Sequence, residues 1–510
     1  MNWTELTSQI SFLSQAEIPG VEITGVEYDS RRVASGSVFV AMRGGTTDGN
    51  RYIASVLKQG AAGIITDSKE AFDLLAAEHP GVPRLLVEHG RTALAQASSA
   101  FFGHPERRLK STGVTGTNGK TTTAFLIEAL LNAAARSTIL VGTIEYHIAG
   151  EIRPSAHTTP ESRDLFELMA DGVSRGATEL VMEVSSHALD QGRVAGIGYD
   201  VAVFTNLTRD HLDYHGTMER YFEAKKLLFD GTRYPAPSVA VLHEHDPHSS
   251  ALKQAAEQAG AEVVTFGIGE QSDWRAEDLR LTPSGAEFTL IAPDGSAKVR
   301  SGLAGEVNAL NLLAALAVAR ARGVPFGDLV DAIPRLKPVP GRFQPVDAGQ
   351  PFTVIVDYAH TDDALRNLTA LARQLVAGAQ TRPERNARVL TLFGCGGDRD
   401  RTKRPKMGQA AGEGSDFVVV TSDNPRSEDP QAIIAEILPG VMSTGVRYAV
   451  EAGRATAIAL ILSEARPGDA VLIAGKGHEK QQILRDGPIF FDDAQVALSA
   501  LRALGYGEGK

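Results

Sequence analysis

The stretch that decides the fold is STGVTGTNGKTTT, residues 111–123. It lies between an alternating apolar run at 109–114 and an amphipathic run that begins at Ala124, which predicts a strand, a glycine-rich turn and a helix N-terminus. Backbone N–H groups in such a turn point inward and the helix dipole adds positive potential, so the turn predicts a polyphosphate site. Lys120 would reach the outer phosphates, and the Thr121 hydroxyl would hold Mg²⁺.

The match to the usual phosphate-loop pattern is imperfect. The first glycine of that pattern falls on Val114, and the glycines stand at 113, 116 and 119 instead. A Gly/Thr-rich turn that only caps a helix is the alternative. Gly-Lys-Thr between a strand and a helix favours the phosphate-binding interpretation.

Length and composition indicate a multidomain globular protein. The 510 residues predict about three domains, and 43% hydrophobic with 22% charged residues is typical of chains that bury several cores. The net charge of −11 disfavours a nucleic-acid partner. No run approaches the roughly 18 apolar residues of a membrane span, and the first residues lack signal-peptide character. With Cys395 as the only cysteine, no intramolecular disulfide is possible, which fits a cytoplasmic protein. We also expect a monomer with small-molecule substrates.

The first hundred residues predict a small α/β unit with strands at 21–28, 37–41 and 60–66. The Gly/Thr-rich loop at 43–53 is either a binding loop or a solvated connection. His104-Pro105 and the charged run that follows predict a linker.

The next region predicts a mostly parallel sheet with helices on both faces, because strand and helix patterns alternate. The predicted strands are 109–114, 138–142, 179–184, 201–206 and 239–242. Ligands in such sheets collect at the carboxyl ends of strands. The polar clusters that fall there are HTTP (157–160), MEVSSHAL (182–189) and TNLTRDHLDYHG (205–216).

Two of these clusters offer metal ligands. Glu183 is a carboxylate among apolar residues, which is costly unless it is paired or metal-bound, and His211 follows an acid. Alternatively, Glu183 caps a helix and His211 is a packed core histidine. Together with the phosphate loop, the pattern favours a metal site made by Thr121, Glu183 and His211.

Two helical patterns carry polar residues of ambiguous role. In YFEAKKLLF (221–229), Lys225 and Lys226 have the pattern of a solvated face. Asn308 and Asn311 are predicted to share one face of a helix within 302–322. Either both hydrogen-bond a nucleotide, or Asn308 is an N-cap-like residue.

The segment KPVPGRFQPV (337–346) predicts a domain boundary. Strands are predicted at 352–356, 389–393, 417–421 and 471–474. Each is followed by a polar cluster: DYAHTDDAL (357–365), GCGGDRDRTKRP (394–405), SDNPRSEDP (422–430) and GKGHE (475–479). Clusters at neighbouring strand ends predict a crevice. Cys395 has no clear histidine partner, so a small structural residue is favoured over a nucleophile.

In this order, GTNGKTT, MEVSSHAL, TNLTRDHLDYHG, YFEAKKLLF, DYAHT, GCGGDRD, DNPR and GKGHE resemble the Mur ligases. These are ATP-dependent amide-forming enzymes that build the peptide of bacterial cell-wall precursors. The resemblance covers nearly the whole chain and implies three α/β domains. They are a small N-terminal UDP-sugar-binding domain (1–108), a central ATP-binding domain with a P-loop-type sheet (109–337) and a C-terminal Rossmann-like amino-acid-binding domain (338–510).

The resemblance also implies roles for particular residues. For the UDP-sugar peptide they are Ser30, Gly45, Thr46, Thr47, His157, Thr158, Thr159, Ser185, Gln191 and Arg193, although the family often has Asn in place of His157. For ATP they are Gly116, Thr117, Asn118, Gly119, Lys120, Thr121, Thr122, Asn311, Arg342 and Asp357. Lys120, His211 and Lys225 are implied to be catalytic, with Lys225 carbamylated to an anion that helps to hold Mg²⁺.

By the same resemblance, the γ-phosphoryl of ATP passes to the D-glutamyl side-chain carboxylate of a UDP-N-acetylmuramoyl dipeptide, and the amine of an amino acid attacks the acyl phosphate. The implied acceptor residues are Arg399, Asp423, Asn424, Pro425, Arg426, Gly475 and Glu479. An arginine binds a carboxylate bidentately, so Arg426 favours diaminopimelate over lysine, which lacks the second carboxylate. In an unrelated chain, DNPR would be a turn with an exposed arginine.

Three rival functions remain open at this point. A lysine-adding Mur ligase would lack an arginine at 426. A folylpolyglutamate-synthetase-like ligase shares the phosphate loop but not the YDSRR segment (28–32). A nucleotide-dependent binding module without chemistry is disfavoured by Lys120, Glu183, His211 and Lys225.

Overall fold

The structure is a computed structural model that describes residues 1–45, 47–269, 271–282, 285–378 and 387–507. Its strands form a five-stranded, an eleven-stranded and a six-stranded sheet in chain order, and a separate two-stranded hairpin. None of the helices in these ranges combines the length and the apolar character needed to cross a bilayer. The mixed α/β fold with three successive sheets confirms the predicted fold class.

The N-terminal sheet has the order β1-β5-β4-β3-β2, in which β2 to β5 are parallel and β1 is antiparallel to β5. Its elements are α1 (Trp3–Thr7), β1 (Ser14–Ala16), β2 (Gly25–Glu27), β3 (Ser37–Ala41), α2 (Ile53–Lys58), β4 (Gly63–Thr66), α3 (Lys69–Glu78), β5 (Arg84–Leu86) and α4 (Gly90–Phe101). Helix α4 packs on α6 (Ser162–Ser174) of the next region, and Tyr28 Oη donates to Asp164 Oδ2 at 2.8 Å across this boundary.

The central sheet has the order β16-β15-β14-β13-β12-β11-β6-β10-β7-β8-β9. Its strands are β6 (Lys110–Thr115), β7 (Thr138–Val141), β8 (Glu145–Ile148), β9 (Glu151–Pro154), β10 (Glu179–Glu183), β11 (Val201–Phe204), β12 (Val239–His243), β13 (Glu262–Ile268), β14 (Trp274–Thr282), β15 (Gly285–Ala292) and β16 (Gly295–Ser301). The helices are α5 (Lys120–Ala133), α6 (Ser162–Ser174), α7 (Ser186–Gln191), α8 (Leu212–His215), α9 (Met218–Lys226), α10 (Ser249–Gln258), α11 (Glu306–Ala321) and α12 (Phe326–Ala332).

Both faces of the central sheet are buried, as the apolar strand runs predicted. Val201 and Val203 of β11 pack on the side of α5 and α11, whereas Ala202 and Phe204 pack on the side of α6 and α9. Successive side chains of a strand point to opposite faces, so a continuous apolar strand needs helices on both sides. The parallel strands β6, β10, β11 and β12 therefore end at one polar edge above two apolar layers.

The C-terminal sheet has the order β17-β18-β22-β19-β20-β21 and is parallel except for β17. Its elements, with the hairpin β23–β24, are β17 (Gln344–Pro345), β18 (Thr353–Asp357), α13 (Asp362–Gly378), β19 (Val389–Phe393), α14 (Lys403–Gly414), β20 (Phe417–Val420), α15 (Pro430–Ser443), β21 (Arg447–Val450), α16 (Arg454–Glu464), β22 (Ala470–Ala474), β23 (Gln481–Leu484), β24 (Gly487–Phe490) and α17 (Asp493–Ala503).

Several sequence-based details differ from the structure. The strand expected at 21–28 is confined to β2. Strands β8, β9 and β14 to β16, which form the antiparallel pairs at the two ends of the central sheet, were not predicted. In β14 the buried Trp274 and Ala276 alternate with charged residues, so one face of the strand is exposed to solvent. The strand therefore lacks the continuous apolar run of the parallel strands in the same sheet. The N-cap of α11 is Gly305, and Asn308 lies in the first turn, where its Nδ2 donates to Ala304 O at 2.8 Å.

Candidate active site

The phosphate loop joins β6 to α5, as the sequence predicted. Gly116 and Gly119 have φ angles of 148° and 86°. A Cβ at Gly116 would lie 1.9 Å from Thr205 Oγ1, and one at Gly119 would lie 2.6 Å from Asn311 Oδ1. Both positions therefore require glycine, for backbone conformation and for space. The resulting turn ends at the N-terminus of a 14-residue helix, which suits an anion.

The segment after β11 holds this loop. Asn118 N donates to Asn206 Oδ1 at 2.9 Å, and Thr205 Oγ1 donates to Asn118 O at 2.6 Å. Thr117 Oγ1 donates to Thr208 O at 3.1 Å. The loop geometry is thus set by the TNLT segment (205–208), which lies on the neighbouring strand end.

Two lysines, the half-buried Lys120 and the buried Lys225, converge on the loop. Lys120 Nζ and Lys225 Nζ donate to the same carbonyl oxygen, Gly116 O, at 2.9 and 2.8 Å. Lys225 is 1% exposed and lies 4.5 Å from the centre of the Tyr221 ring. Burial lowers the pKa of Lys225 well below its ordinary value, and the Lys120 charge lowers it further. The expectation of a solvated lysine pair is therefore wrong for Lys225, whereas Lys226 is partly exposed beside Glu223.

Glu183 is the centre of an oxygen cluster. It is 1% exposed and accepts from Thr121 Oγ1 at 3.0 Å, from Thr143 Oγ1 at 3.0 Å and from Thr143 N at 2.7 Å. Thr158 Oγ1 lies 3.0 Å from Thr143 Oγ1. All these hydrogen-bond partners are neutral, and the cluster presents only oxygen ligands, so it fits a hard divalent cation such as Mg²⁺. The helix-cap alternative is wrong, because the N-cap of α7 is Ser185.

His211 lines the same cleft as Thr121 and Glu183. Its side chain is 43% exposed and its φ is 54°, so it is not a packed core histidine. Partial desolvation of the ring lowers the pKa of His211, against the attraction of Asp210, which favours the neutral imidazole that can act as a metal ligand. No group of three or more His, Cys, Asp or Glu side chains suited to a metal occurs in the described ranges. A cation here would therefore need hydroxyl or substrate oxygens as well.

The C-terminal region closes the cleft. Arg342 Nη2 donates to Thr121 Oγ1 at 3.2 Å. On the central side of the cleft, Asn311 Oδ1 in α11 accepts from Thr123 Oγ1 at 3.2 Å. Asp357 accepts from two backbone N–H groups, those of Phe343 at 2.6 Å and of Ala359 at 2.8 Å. Burial raises the pKa of Asp357, and the Arg342 charge opposes the rise. Thr122, Arg342 and Asp357 line the same cleft as the phosphate loop.

A second group of predicted residues adjoins Glu183. Thr159 Oγ1 donates to Glu183 O at 2.8 Å and accepts from Ser185 N at 3.1 Å. Arg193 Nη1 donates to Thr159 O at 3.2 Å, and Arg193 Nη2 donates to Gln191 Oε1 at 2.7 Å. These four polar residues therefore form one hydrogen-bonded surface beside the oxygen cluster.

The resemblance implies that Ser30 and the loop at 45–47 contact the uridine end of the sugar nucleotide. Both lie earlier in the chain, in the N-terminal region, whereas His157 lies in the central region. Ser30 is half-buried, and Gly45, Thr47 and His157 are exposed. Thr46 lies outside the described residues. Within the described ranges, no hydrogen bond or ion pair joins Ser30, Gly45 or Thr47 to the group around Thr159.

The predicted acceptor residues gather at the ends of β19, β20 and β22. A Cβ at Gly396 would lie 3.0 Å from Arg426 Nη1 and 3.7 Å from Arg399 Cγ, so both arginines approach the same glycine. Asn424 Nδ2 donates to Glu479 Oε2 at 2.8 Å. The other members, Asp423, Pro425 and Gly475, are buried. Arg426 is half-buried with its Nη1 on Gly397 O at 2.8 Å, unlike an exposed turn arginine.

Two aromatic residues that sequence reasoning did not single out connect the two groups. The Arg342 guanidinium lies 4.6 Å from the centre of the Tyr358 ring, and that ring lies 5.0 Å from the ring of His478, next to Glu479. Thr143 was also missed, although it follows β7 at the carboxyl edge of the sheet, where ligands collect. Cys395 is buried, which raises the pKa of its thiol to about 12, as suits a structural residue.

Three family models match successive stretches of this chain. The Mur ligase middle domain matches residues 114–319, the Mur ligase glutamate ligase domain 341–477, and the Mur ligase family catalytic domain 22–102. A UDP-N-acetylmuramoyl-L-alanyl-D-glutamate–2,6-diaminopimelate ligase of Solibacter usitatus is 47% identical over 99% of both chains. A ligase of the same name from Geobacillus kaustophilus is 45% identical over 95% of this chain and 96% of its own.

A solved structure of a UDP-N-acetylmuramoyl-L-alanyl-D-glutamate–2,6-diaminopimelate ligase superposes with a TM-score of 0.69 at 33% identity, over 99% of each chain. The similarity therefore extends through all three sheets and is not confined to the phosphate loop. The chain belongs to the Mur ligase family.

Proposed function

We propose that this protein uses ATP to join meso-diaminopimelate to the D-glutamyl side-chain carboxylate of UDP-N-acetylmuramoyl-L-alanyl-D-glutamate. One observation carries the proposal. The contacts Thr121–Arg342, Arg342–Tyr358 and Tyr358–His478 connect the phosphate loop to the acceptor group that contains Glu479. Such an arrangement brings a nucleotide and an amine within reach of one carboxylate. The names of the full-length relatives support the same substrates.

We assign the predicted residues to three substrates. ATP is bound by Gly116–Thr122, Asn311, Arg342 and Asp357. The sugar dipeptide is held by His157, Thr158, Thr159, Ser185, Gln191 and Arg193, with Ser30 and Gly45–Thr47 at its uridine end. Diaminopimelate is held by Arg399, Asp423–Arg426, Gly475 and Glu479. The domains that supply these groups are 1–108, 109–337 and 338–510. The buried, unpaired thiol of Cys395 supports a reducing, cytoplasmic location.

The chemistry proceeds in two displacements. A carboxylate oxygen of the D-glutamyl side chain attacks the γ-phosphorus, and ADP leaves with the electrons of the bond that breaks. The amine then attacks the carbonyl carbon of the acyl phosphate, loses a proton, and phosphate leaves. Lys120 and Arg342 stabilise negative charge on the transferring phosphoryl group. Mg²⁺ held by Thr121, Glu183 and His211 would neutralise phosphate charge further.

Lys225 supports this site in a modified form. Its amine is buried, and burial lowers the pKa of Lys225 well below its ordinary value, which favours the neutral, nucleophilic amine. Attack of this amine on CO₂, with loss of a proton, gives a carbamate anion on the phosphate-loop side of the cleft. The modification would replace one of two adjacent cations by an anion suited to a second Mg²⁺.

The test is phosphate release from ATP in the presence of UDP-N-acetylmuramoyl-L-alanyl-D-glutamate, with meso-diaminopimelate or L-lysine offered separately. Release with diaminopimelate alone is expected. Release with lysine alone would retain the ligase and overturn the assignment of Arg426. Release with neither amino acid would overturn the proposed substrates.

A further inference from the structure

Lys476 is a buried lysine in the middle of the acceptor group, and the mechanism above gives it no role. It follows β22 within Gly475-Lys476-Gly477, and its side chain is 0% exposed. Gly475 and Gly477 have φ angles of 114° and 52°, which turn the chain sharply on both sides. A Cβ at Gly477 would lie 2.7 Å from Tyr358 Cβ, so this loop packs closely against Tyr358, whose ring also contacts Arg342. The lysine is therefore held inward by its backbone.

The Lys476 ammonium joins two residues that are assigned to the acceptor. Its Nζ donates to Glu479 Oε2 at 2.9 Å and to Asn424 Oδ1 at 3.0 Å. Asn424 Nδ2 also donates to Glu479 Oε2 at 2.8 Å, and Asn424 Oδ1 accepts from Ile483 N at 2.9 Å. Lys476, Asn424 and Glu479 thus form a closed triangle. This triangle fixes both the orientation of the amide and the rotamer of the carboxylate.

The charge balance also depends on Lys476. Asp423 Oδ1 is buried without a hydrogen-bond partner and lies 3.7 Å from Lys476 Nζ. Asp423 and Glu479 are two carboxylates, and Lys476 offsets one of the two charges. Glu479 Oε2 is occupied twice, whereas its Oε1 makes no hydrogen bond within the described part of the chain. The Glu479 side chain is 31% exposed, so this second oxygen is available to a substrate ammonium.

We propose that Lys476 is a positioning residue for acceptor recognition: it holds Glu479 through one carboxylate oxygen and thereby presents the other to the ammonium group of the incoming amino acid. The inference rests on the proposed function. Without Lys476, the half-buried Glu479 carboxylate would lose a charge-assisted hydrogen bond that fixes its rotamer, and it would meet the substrate ammonium in the wrong geometry. Lys476 therefore acts on the affinity for the amino acid rather than on ATP.

The test compares full-length wild type with Lys476→Met, using phosphate release with each substrate varied in turn. Loss of charge-assisted hydrogen bonds is expected to raise the KM for meso-diaminopimelate about tenfold to a hundredfold. The KM values for ATP and for the sugar dipeptide should stay within about twofold. Lys480→Met is the matched control, because Lys480 lies in the same loop, is 56% exposed and pairs with Asp492 instead.

A double-mutant cycle with Glu479→Gln separates positioning from general packing. If Lys476 acts through Glu479, the double variant has a KM close to that of Glu479→Gln alone, so the effects are not additive. Additive effects, an unchanged KM in Lys476→Met, or an equal rise for all three substrates would overturn the inference. Thermal melting shows whether each variant is folded. If Lys476→Met alone does not fold, the KM of the double variant Lys476→Met/Glu479→Gln, which loses one charge of each sign, is compared with that of Glu479→Gln alone. If the wild type releases no phosphate with any of the substrates, the proposed function is overturned, and this inference with it.

Discussion

Lys225 shows how far a single side chain departs from its local pattern. It shares an Ala-Lys-Lys run with Lys226, yet its Nζ contacts Gly116 O at 2.8 Å and its side chain is buried. If a carbamate on Lys225 supplies an anion, then Lys225→Ala should lower ligation about a hundredfold or more. Acetate or another small carboxylic acid should restore part of the rate, because it can occupy the space of the missing carbamate.

The control for this prediction is the adjacent lysine. Lys226 pairs with Glu223 at 2.6 Å at the surface, so Lys226→Ala should retain nearly the full rate. The measurement is phosphate release at saturating substrates with increasing acetate. A Lys225→Ala variant that stays fully active would contradict the role of the carbamate.

Arg426 is the residue on which acceptor choice is proposed to depend. Arg426→Ala should raise the KM for meso-diaminopimelate about tenfold to a hundredfold, because a charged bidentate partner of the second carboxylate is lost. The affinity for ATP should be nearly unchanged. The control is Arg485→Ala, an exposed arginine between β23 and β24. Equal losses for diaminopimelate and ATP would indicate a folding role for Arg426 instead.

At the scale of elements, α14 anchors the loops that carry the acceptor residues. Arg404 in this helix is 0% exposed, and its guanidinium donates to Glu428 and Glu436 at 2.8 Å each and to Gly396 O at 3.2 Å. Arg404→Met leaves two carboxylates without their buried partner, so the free energy of unfolding should fall by about 3 kcal/mol. Arg401→Met, at a 67% exposed neighbour that also pairs with Glu436, should cost less than about 1 kcal/mol. Urea denaturation measures both, and equal losses would contradict the anchoring role.

The ion pair between Arg404 and Glu428 predicts a pH dependence of stability. The hydrogen bond from Arg404 lowers the pKa of Glu428 from 4.5 to about 2. Because the folded-state pKa lies below the unfolded one, the stabilisation is present above about pH 4.5 and is lost as the pH falls towards about 2. The stability difference between wild type and Arg404→Met should therefore shrink across that window. A difference that stays constant under acid would show that Glu428 is not the partner that matters.

At the scale of the whole molecule, the central and C-terminal regions meet at the phosphate loop. Arg209 Nη2 donates to Asp362 Oδ1 at 2.7 Å, and Asn118 Nδ2 donates to Asp363 Oδ2 at 3.2 Å. Both acids begin α13, so the two contacts hold that helix against the nucleotide side of the cleft. The arrangement of the two regions is thus coupled to the loop that we propose binds ATP.

Loss of the ion pair between Arg209 and Asp362 should loosen the contact between the central and C-terminal regions. Arg209→Ala should raise the KM for ATP about twofold to fivefold, as expected for a partly exposed ion pair, and should increase the radius of gyration in small-angle X-ray scattering. Arg366→Ala is the matched control, because Arg366 pairs with the same Asp362 from within α13, at 3.1 Å. An identical scattering curve and KM in Arg209→Ala would contradict a closing role.

Local patterns predicted the parts of the fold that depend on nearest neighbours in sequence. Ser37–Ala41 and Val389–Phe393 were predicted to the residue, because continuous apolar runs between turns have few alternatives. The phosphate loop was predicted because Gly-Lys-Thr stands between a strand pattern and a helix pattern. Strands β14 to β16 were missed, because one face of each is exposed and their charged residues break the apolar run.

The sequence by itself determined the α/β alternation, the phosphate loop and, through its ordered motifs, the family, because each depends on residues adjacent in the chain. Only the tertiary structure decided which polar residues meet. The burial of Lys225, the hydroxyls of Thr143 and Thr158 beside Glu183, and the cation of Lys476 on Glu479 all depend on strand ends brought together by the sheets. Burial and pKa follow from three-dimensional neighbours, which no local spacing encodes.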